Sequence, residues 1–296
     1  MPDAVPQDRL LHISDLHFWE VVWNPLRLMN KRLLGNLNVY WRRRHEFLMH
    51  RAEEFADAAA ATGIKTVVMT GDFTSTSTHG EFDMGRAFVQ GLMRRGLQVI
   101  LMPGNHDVYT FESVRERRFQ HYFGEFLPAG GYPHRFTLAG GTPLIVVPTV
   151  TANFLSSKGR IRHREVREAA RLIEECPPGP IVIAGHYPVL HRTYGYTTSP
   201  NRQLRHAEVL RAAMGVSGRN IFYLAGHVHR FSYVLDETYA NLRHLTTPAF
   251  FLENRQDEVL GAFAEIHVAG EEFHVFQHRR KEVWERTPHP AQPGNL

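Results

Sequence analysis

A single cysteine, Cys176, among 296 residues excludes an internal disulfide, so this fold stands on packing and a reducing cytoplasm is the expected compartment. No apolar run approaches the roughly 20 residues that cross a bilayer as a helix. The opening residues Met1-Pro2-Asp3-Ala4-Val5-Pro6 lack the basic and then apolar segments of a secretion signal. No linker of Gly, Ser or Pro interrupts the chain, and repeats and low-complexity tracts are missing too. One domain over residues 7–286 is therefore expected, followed by a frayed, proline-rich tail at residues 287–296. An excess of acid is also absent. The net charge of +4 favours an anionic partner or surface without singling out nucleic acid.

Against these absences stands one recurring layout. An apolar run ends in a Gly, Pro or Ser turn, and metal-seeking side chains follow at once. Residues 10–14 lead into Asp15-Leu16-His17, residues 67–71 into Asp72, and residues 99–104 into Asn105-His106-Asp107. Residues 181–185 lead into His186, and residues 221–226 into His227-Val228-His229. Each run fits a short buried strand, and a turn at its end gathers the polar groups at one edge of a sheet, where α/β sheets place their sites. A lone histidine is more often a hydrogen-bonded structural residue than a ligand, but five such blocks in order point to one shared site. The histidines outside the blocks, among them His12, His79, His244, His267 and His278, are read as surface or satisfied positions.

Between the blocks, residues 46–62, 81–95 and 164–176 are rich in helix formers and end at Gly63, Gly96 and a Pro-Pro-Gly-Pro run. After His229, residues 231–235, 242–245, 261–268 and 272–277 read as strands with short connections. Strand and helix alternate first, and strands alone follow. This order predicts an α/β fold in which two mixed β-sheets pack as a sandwich flanked by helices.

Asp and His beside an Asn carbonyl form a ligand set of oxygen and nitrogen without sulfur, which suits manganese, iron or zinc. Asp15, His17, Asp72, Asn105, His186, His227 and His229 are too many for one ion, whereas two ions sharing a carboxylate would use them all. The order Asp-x-His, Gly-Asp, Gly-Asn-His-Asp, Gly-His and Gly-His-x-His resembles the calcineurin-like metallophosphoesterase superfamily over about residues 10–230. That resemblance implies Asp15, His17, Asp72 and His229 on one ion, with Asp72, Asn105, His186 and His227 on the other. It also implies manganese or iron, or zinc, as the metals, and metal-activated hydroxide as the nucleophile. His106 would then protonate or stabilise the leaving oxygen, with Asp107 orienting it.

The substrate implied is a phosphodiester or a pyrophosphate, and the Gly-Asn-His-Asp block is similar to that of bacterial cyclic-nucleotide phosphodiesterases. Hydrolysis of UDP-2,3-diacylglucosamine is the alternative, although the commonest enzymes of that type carry Arg where this chain has His106. A non-catalytic scaffold of the same fold is a further alternative, but such proteins usually lose ligands and none is missing here.

Residues 21–45 form an insertion with Trp23, Leu26, Met29, Leu33, Leu37, Tyr40 and Trp41 at helical steps, six basic residues and no acid. It reads as an amphipathic helix that meets an anionic membrane surface, covers the site as a lid, or is buried in the core. Residues 187–206 read as a long polar and aromatic loop after His186, and Tyr187, His191, Arg192 and Tyr194 are the candidates there for substrate contact.

Overall fold

A computed structural model describes residues 7–21, 46–153, 156–191, 193, 196, 200–255 and 257–292. Nearly all of the basic insertion, together with Arg192 and Tyr194, lies outside the described residues.

The parallel strands follow from sequence runs that are apolar on both faces. β1 (Asp8–Ile13), β2 (Thr66–Met69) and β3 (Gln98–Leu101) lie parallel in that order. β4 (His134–Thr137) and β5 (Pro143–Val146) form a hairpin, β6 (Gly159–Arg160) is a short outlier, and β7 (Ile181–Ala184) pairs parallel with β5. β8 (Leu204–Arg205) pairs only with β6, and β9 (Ile221–Ala225) lies parallel to β7. Every residue of β2, β5, β7 and β9 is buried, as expected of strands covered on both sides.

The remaining strands are β10 (Ser232–Leu235), β11 (Leu242–Thr246), β12 (Ala262–Ala269), β13 (Glu272–Arg280) and β14 (Trp284–His289). One sheet runs β14-β13-β12-β1-β2-β3 and the other β10-β11-β9-β7-β5-β4. Both are mixed, since β12 joins β1 antiparallel in the first and β10 joins β11 antiparallel in the second.

Alternation along the strands sorts the core into three layers. Leu10, Val68, Leu144, Val182, Leu224 and Ile266 point between the sheets. Leu11, Ile13, Val67 and Met69 point outward, beneath α1 (Ala52–Ala61) and α2 (His79–Arg94). Ile145, Ile183, Ile221 and Tyr223 point outward on the other side, beneath α5 (His163–Glu174) and α6 (Ala207–Val216). Each of these fully buried large side chains contributes about 1.5–3 kcal/mol relative to exposure. The expected sandwich flanked by helices is the architecture observed. Among the described residues, no helix is long and apolar enough to cross a membrane.

Sequence and structure differ at several edges. The helix expected over residues 46–62 begins as α only at Ala52, behind a 3-10 turn at Met49–Arg51, and Phe47 instead forms a bridge with Leu252. Two short helices, α3 (Phe111–Arg115) and α4 (Arg118–Phe123), follow the third block. The tail expected to fray from residue 287 is ordered through its first part, because residues 287–289 complete β14 and Gln292 bridges Val234. Pro288 is tolerated there because β14 is an edge strand and lacks a partner on one side.

Candidate metal centre

The five blocks arrive at one place because each follows a parallel strand at its C-terminal end. Asp15 and His17 leave β1, Asp72 leaves β2, and Asn105 follows β3. His186 leaves β7, and His227 and His229 leave β9. Two sheets with facing strand ends thus pool their ligands in a cleft between them.

The local backbone is strained to do so. Asp15, His17, Asp72, His227 and His229 all have positive φ, at 56°, 51°, 55°, 69° and 55°. Left-handed backbone costs an L-residue other than Gly about 1–2 kcal/mol, and such strain collects at functional sites. Glycines supply the close approach between loops. A Cβ on Gly104 would lie 2.2 Å from both the amide nitrogen and Oδ1 of Asp72, and one on Gly226 would lie 1.9 Å from Ser14 Oγ. Gly104→Ala is therefore expected to displace Asp72 and weaken metal binding by about 10–100-fold, the usual effect of disturbing the shell behind a ligand. Metal titration alongside circular dichroism would check this, and an unchanged affinity in a folded variant would contradict it.

Two donor groups emerge. In the first, Asp15 Oδ1 lies 3.2 Å from His229 Nε2 and 3.8 Å from His17 Nε2, and the two imidazole nitrogens are 3.0 Å apart. In the second, Asn105 Oδ1 lies 3.0 Å from His186 Nε2 and 2.8 Å from His227 Nδ1. Asp72 stands between them. Its Oδ2 is 3.7 Å from His17 Nε2 and 3.5 Å from His186 Nε2. Its Oδ1 accepts the His106 backbone N–H at 2.7 Å, which turns Oδ2 toward both groups.

The second nitrogen of each imidazole decides the tautomer. His17 Nδ1 and His186 Nδ1 donate to the carbonyls of Thr74 and Thr70, at 3.2 and 2.7 Å, so each Nε2 carries a lone pair. His227 is reversed, since its Nε2 donates to the Arg202 carbonyl at 2.9 Å and Nδ1 carries the lone pair. Burial, joined by the charge of the neighbouring Arg202, lowers the pKa of the His186 and His227 rings and favours their neutral forms. Burial alone would raise the Asp15 carboxyl, but His229 overcomes this and holds it well below the usual carboxylate range.

Around Asn105 the lone pairs of His186 and His227 thus converge on an amide oxygen with no proton between them. Such an arrangement repels itself unless a cation sits at its centre, and the donor set fits a divalent ion. The sets Asp15-His17-His229 and Asp72-His186-His227 each keep their ligand atoms within 4.8 Å of one another. All seven expected ligands are brought together, with Asp72 between the two donor groups.

The other expected site residues fare unevenly. The His106 ring stands beside the centre, with ligand atoms of His17, Asp72 and His106 within 4.8 Å of one another. Asp107 does not orient that ring. Its carboxylate accepts the backbone N–H groups of Gly104, Thr74 and Phe73 at 2.8, 2.9 and 3.3 Å, which ties the β2 and β3 loops together. Burial pushes its pKa up to about 6 despite those bonds. The Ser75 carbonyl holds the ring instead, accepting from His106 Nδ1 at 2.6 Å.

Tyr187 is wholly buried, with its ring 4.1 Å from that of His227 and its hydroxyl donating to the Ser157 carbonyl, so it walls a ligand and does not reach for substrate. His191 is exposed, with its ring 6.3 Å from that of Tyr196. Sequence reasoning missed Arg202, whose carbonyl fixes His227, because nothing in the loop pattern marks which residue closes back on a ligand.

Solved structures share this fold. A dimetal phosphatase from Danio rerio matches with a TM-score of 0.58 and 14% identity, covering 97% of this chain and 100% of its own. A purple acid phosphatase from yellow lupin seeds matches with a TM-score of 0.60 and 11% identity, covering 98% of this chain. A 5'-nucleotidase from Candida albicans matches with a TM-score of 0.51 and 14% identity, covering 93% of this chain. This chain spans only about half the length of the last two, 55% and 52%. At such identities these likenesses establish the fold alone. No curated protein sequence matches the chain significantly. The model of the calcineurin-like phosphoesterases matches residues 8–231, from β1 through the last ligand block. The chain therefore belongs to the calcineurin-like phosphoesterase family and is a metal-dependent phosphoric ester hydrolase.

Proposed function

We propose that this protein hydrolyses a phosphodiester, with cyclic nucleotides as the leading substrate class and manganese or iron as its metals. When bound, two divalent ions supply Lewis acidity and activate water. The side chains do the rest. Asp15 and Asp72 contribute two negative charges against four from the ions, and a hydroxide nucleophile leaves about one net positive charge. That balance matches a monoanionic diester more closely than a dianionic monoester.

The observation that carries the reading is the His106 ring beside Asp72 with Nδ1 tied to the Ser75 carbonyl. In this pose, protonated Nε2 is the proton donor to the leaving oxygen. An alkoxide leaves poorly without a proton, whereas a pyrophosphate expels a weakly basic phosphate and needs no such donor. This favours a diester over the UDP-2,3-diacylglucosamine reading, in which the His106 proton would serve little purpose.

The test is hydrolysis by the manganese-loaded protein of bis-p-nitrophenyl phosphate, cyclic AMP, p-nitrophenyl phosphate and UDP-2,3-diacylglucosamine. The phosphomonoester is included because the similar structures are described as phosphatases and a nucleotidase. Turnover of the diesters is expected to exceed that of the monoester in kcat/KM and to stop on chelation. Turnover of the UDP substrate alone would overturn the diester reading, and turnover of none by protein holding two ions would make the fold a binding scaffold.

A further inference from the structure

We propose that Arg202 is the substrate's phosphate anchor, its guanidinium gripping an anionic oxygen on the side of the centre lined by His186 and His227. The proposal deepens the hydrolase reading above and rests on it. Arg202 ends the 3-10 turn Pro200–Arg202, in the loop between β7 and α6. Its carbonyl accepts His227 Nε2–H at 2.9 Å, while its Nη2 donates to the His227 carbonyl at 3.3 Å. Backbone and side chain therefore close on the same ligand, which fixes the base of the guanidinium beside the centre.

Unlike the arginines that brace the fold, this one leaves most of its donors free. Arg219 spends its donors on the carbonyls of Ile173, Cys176, Pro177 and Gly179. Arg118 is held by the Ser77 carbonyl with Glu112 and Glu116, and Arg211 by Asp236. A guanidinium has five N–H donors, and that of Arg202 makes one hydrogen bond and has no carboxylate partner among the described residues.

It is exposed, so its free donors face solvent, and its charge reaches His186, His227 and the Tyr187 and Tyr196 hydroxyls. A solvated guanidinium at the rim of a cationic centre adds positive potential that attracts an anion. The planar fork of a guanidinium matches two oxygens of a phosphate. The chemistry recognised is a phosphoryl group, in the substrate and in the phosphate released.

The test uses inorganic phosphate as the probe on full-length protein loaded with two metal ions, comparing wild type with Arg202→Gln and Arg202→Lys by calorimetry. Glutamine keeps a donor for the His227 carbonyl and removes the charge. Loss of a hydrogen bond to a charged group predicts phosphate binding weaker by roughly 10–100-fold in Arg202→Gln, with a flatter salt dependence. Arg202→Lys is expected to recover part of the affinity. KM for bis-p-nitrophenyl phosphate should rise far more than kcat falls, and both ions should remain, because the carbonyl that holds His227 is main chain. Phosphate affinity within about twofold of wild type in metal-replete Arg202→Gln overturns the anchor. Loss of the ions from both variants overturns it as well, since the side chain would then be holding His227. If wild type binds phosphate through Arg202 yet turns over no phosphoester, the anchor stands and the hydrolytic reading fails.

Discussion

Asp72→Ala is expected to leave fewer than two ions per chain and to lower kcat/KM by at least about 10³-fold, the equivalent of several kcal/mol of charge stabilisation. The reason is that a single buried oxygen serves both donor groups. Asp72 is 1% exposed, and its Oδ2 lies within 3.7 Å of His17 Nε2 and 3.5 Å of His186 Nε2. No other carboxylate in the centre is so placed, since Asp15 approaches only His17 and His229 among the imidazoles. Asp72→Asn is the sharper variant. It keeps the shape and the acceptor for the His106 N–H but removes the charge that offsets the ions. Elemental analysis with steady-state kinetics decides the matter, and a variant that retains two ions and a tenth or more of its activity (about 1.4 kcal/mol at most lost) would contradict the bridging role.

His106→Ala is expected to keep both ions and lose turnover in proportion to how badly the leaving group needs a proton. For an alkyl leaving group, such as the ribose oxygen of cyclic AMP, the fall in kcat should be about 10²- to 10⁴-fold, the usual worth of general acid catalysis. For p-nitrophenolate, which departs as a stable anion, the fall should be much smaller. The ions are expected to stay because the contact that steadies Asp72 comes from the His106 backbone N–H, which alanine keeps. The ring itself is placed by the Ser75 carbonyl, by stacking on Tyr109 with centroids 5.2 Å apart, and by an edge contact with His17 at 4.8 Å. An equal loss for both leaving groups would mean that the ring orders the site and does not transfer the proton.

The parallel core of the fold was legible because its strands are buried on both faces. A strand such as residues 181–184 can only be apolar throughout, and its end is marked by the turn that releases a ligand. Short elements left no such trace. α3 and α4, with five and six residues, are below the length at which a helix signals itself. They are held by tertiary contacts, including the Arg118 bond to the Ser77 carbonyl and the packing of Phe73 against Phe119 and Phe123. β14 was hidden by Pro288, which reads as a strand breaker and is harmless at an edge.

At the site, the sequence by itself determined which side chains gather as candidate metal ligands, because each is anchored to the end of a strand and the strand pattern is local. Only the tertiary structure decided how they divide. Lone pairs are aimed by bonds to carbonyls that are distant in the chain, such as Thr70 for His186 and Arg202 for His227. It alone showed that Asp107 fastens two loops and that the Ser75 carbonyl steers His106. Spacing along a chain can name a donor, but the direction of a lone pair depends on what lies behind the ring, and that is settled only when the sheets meet.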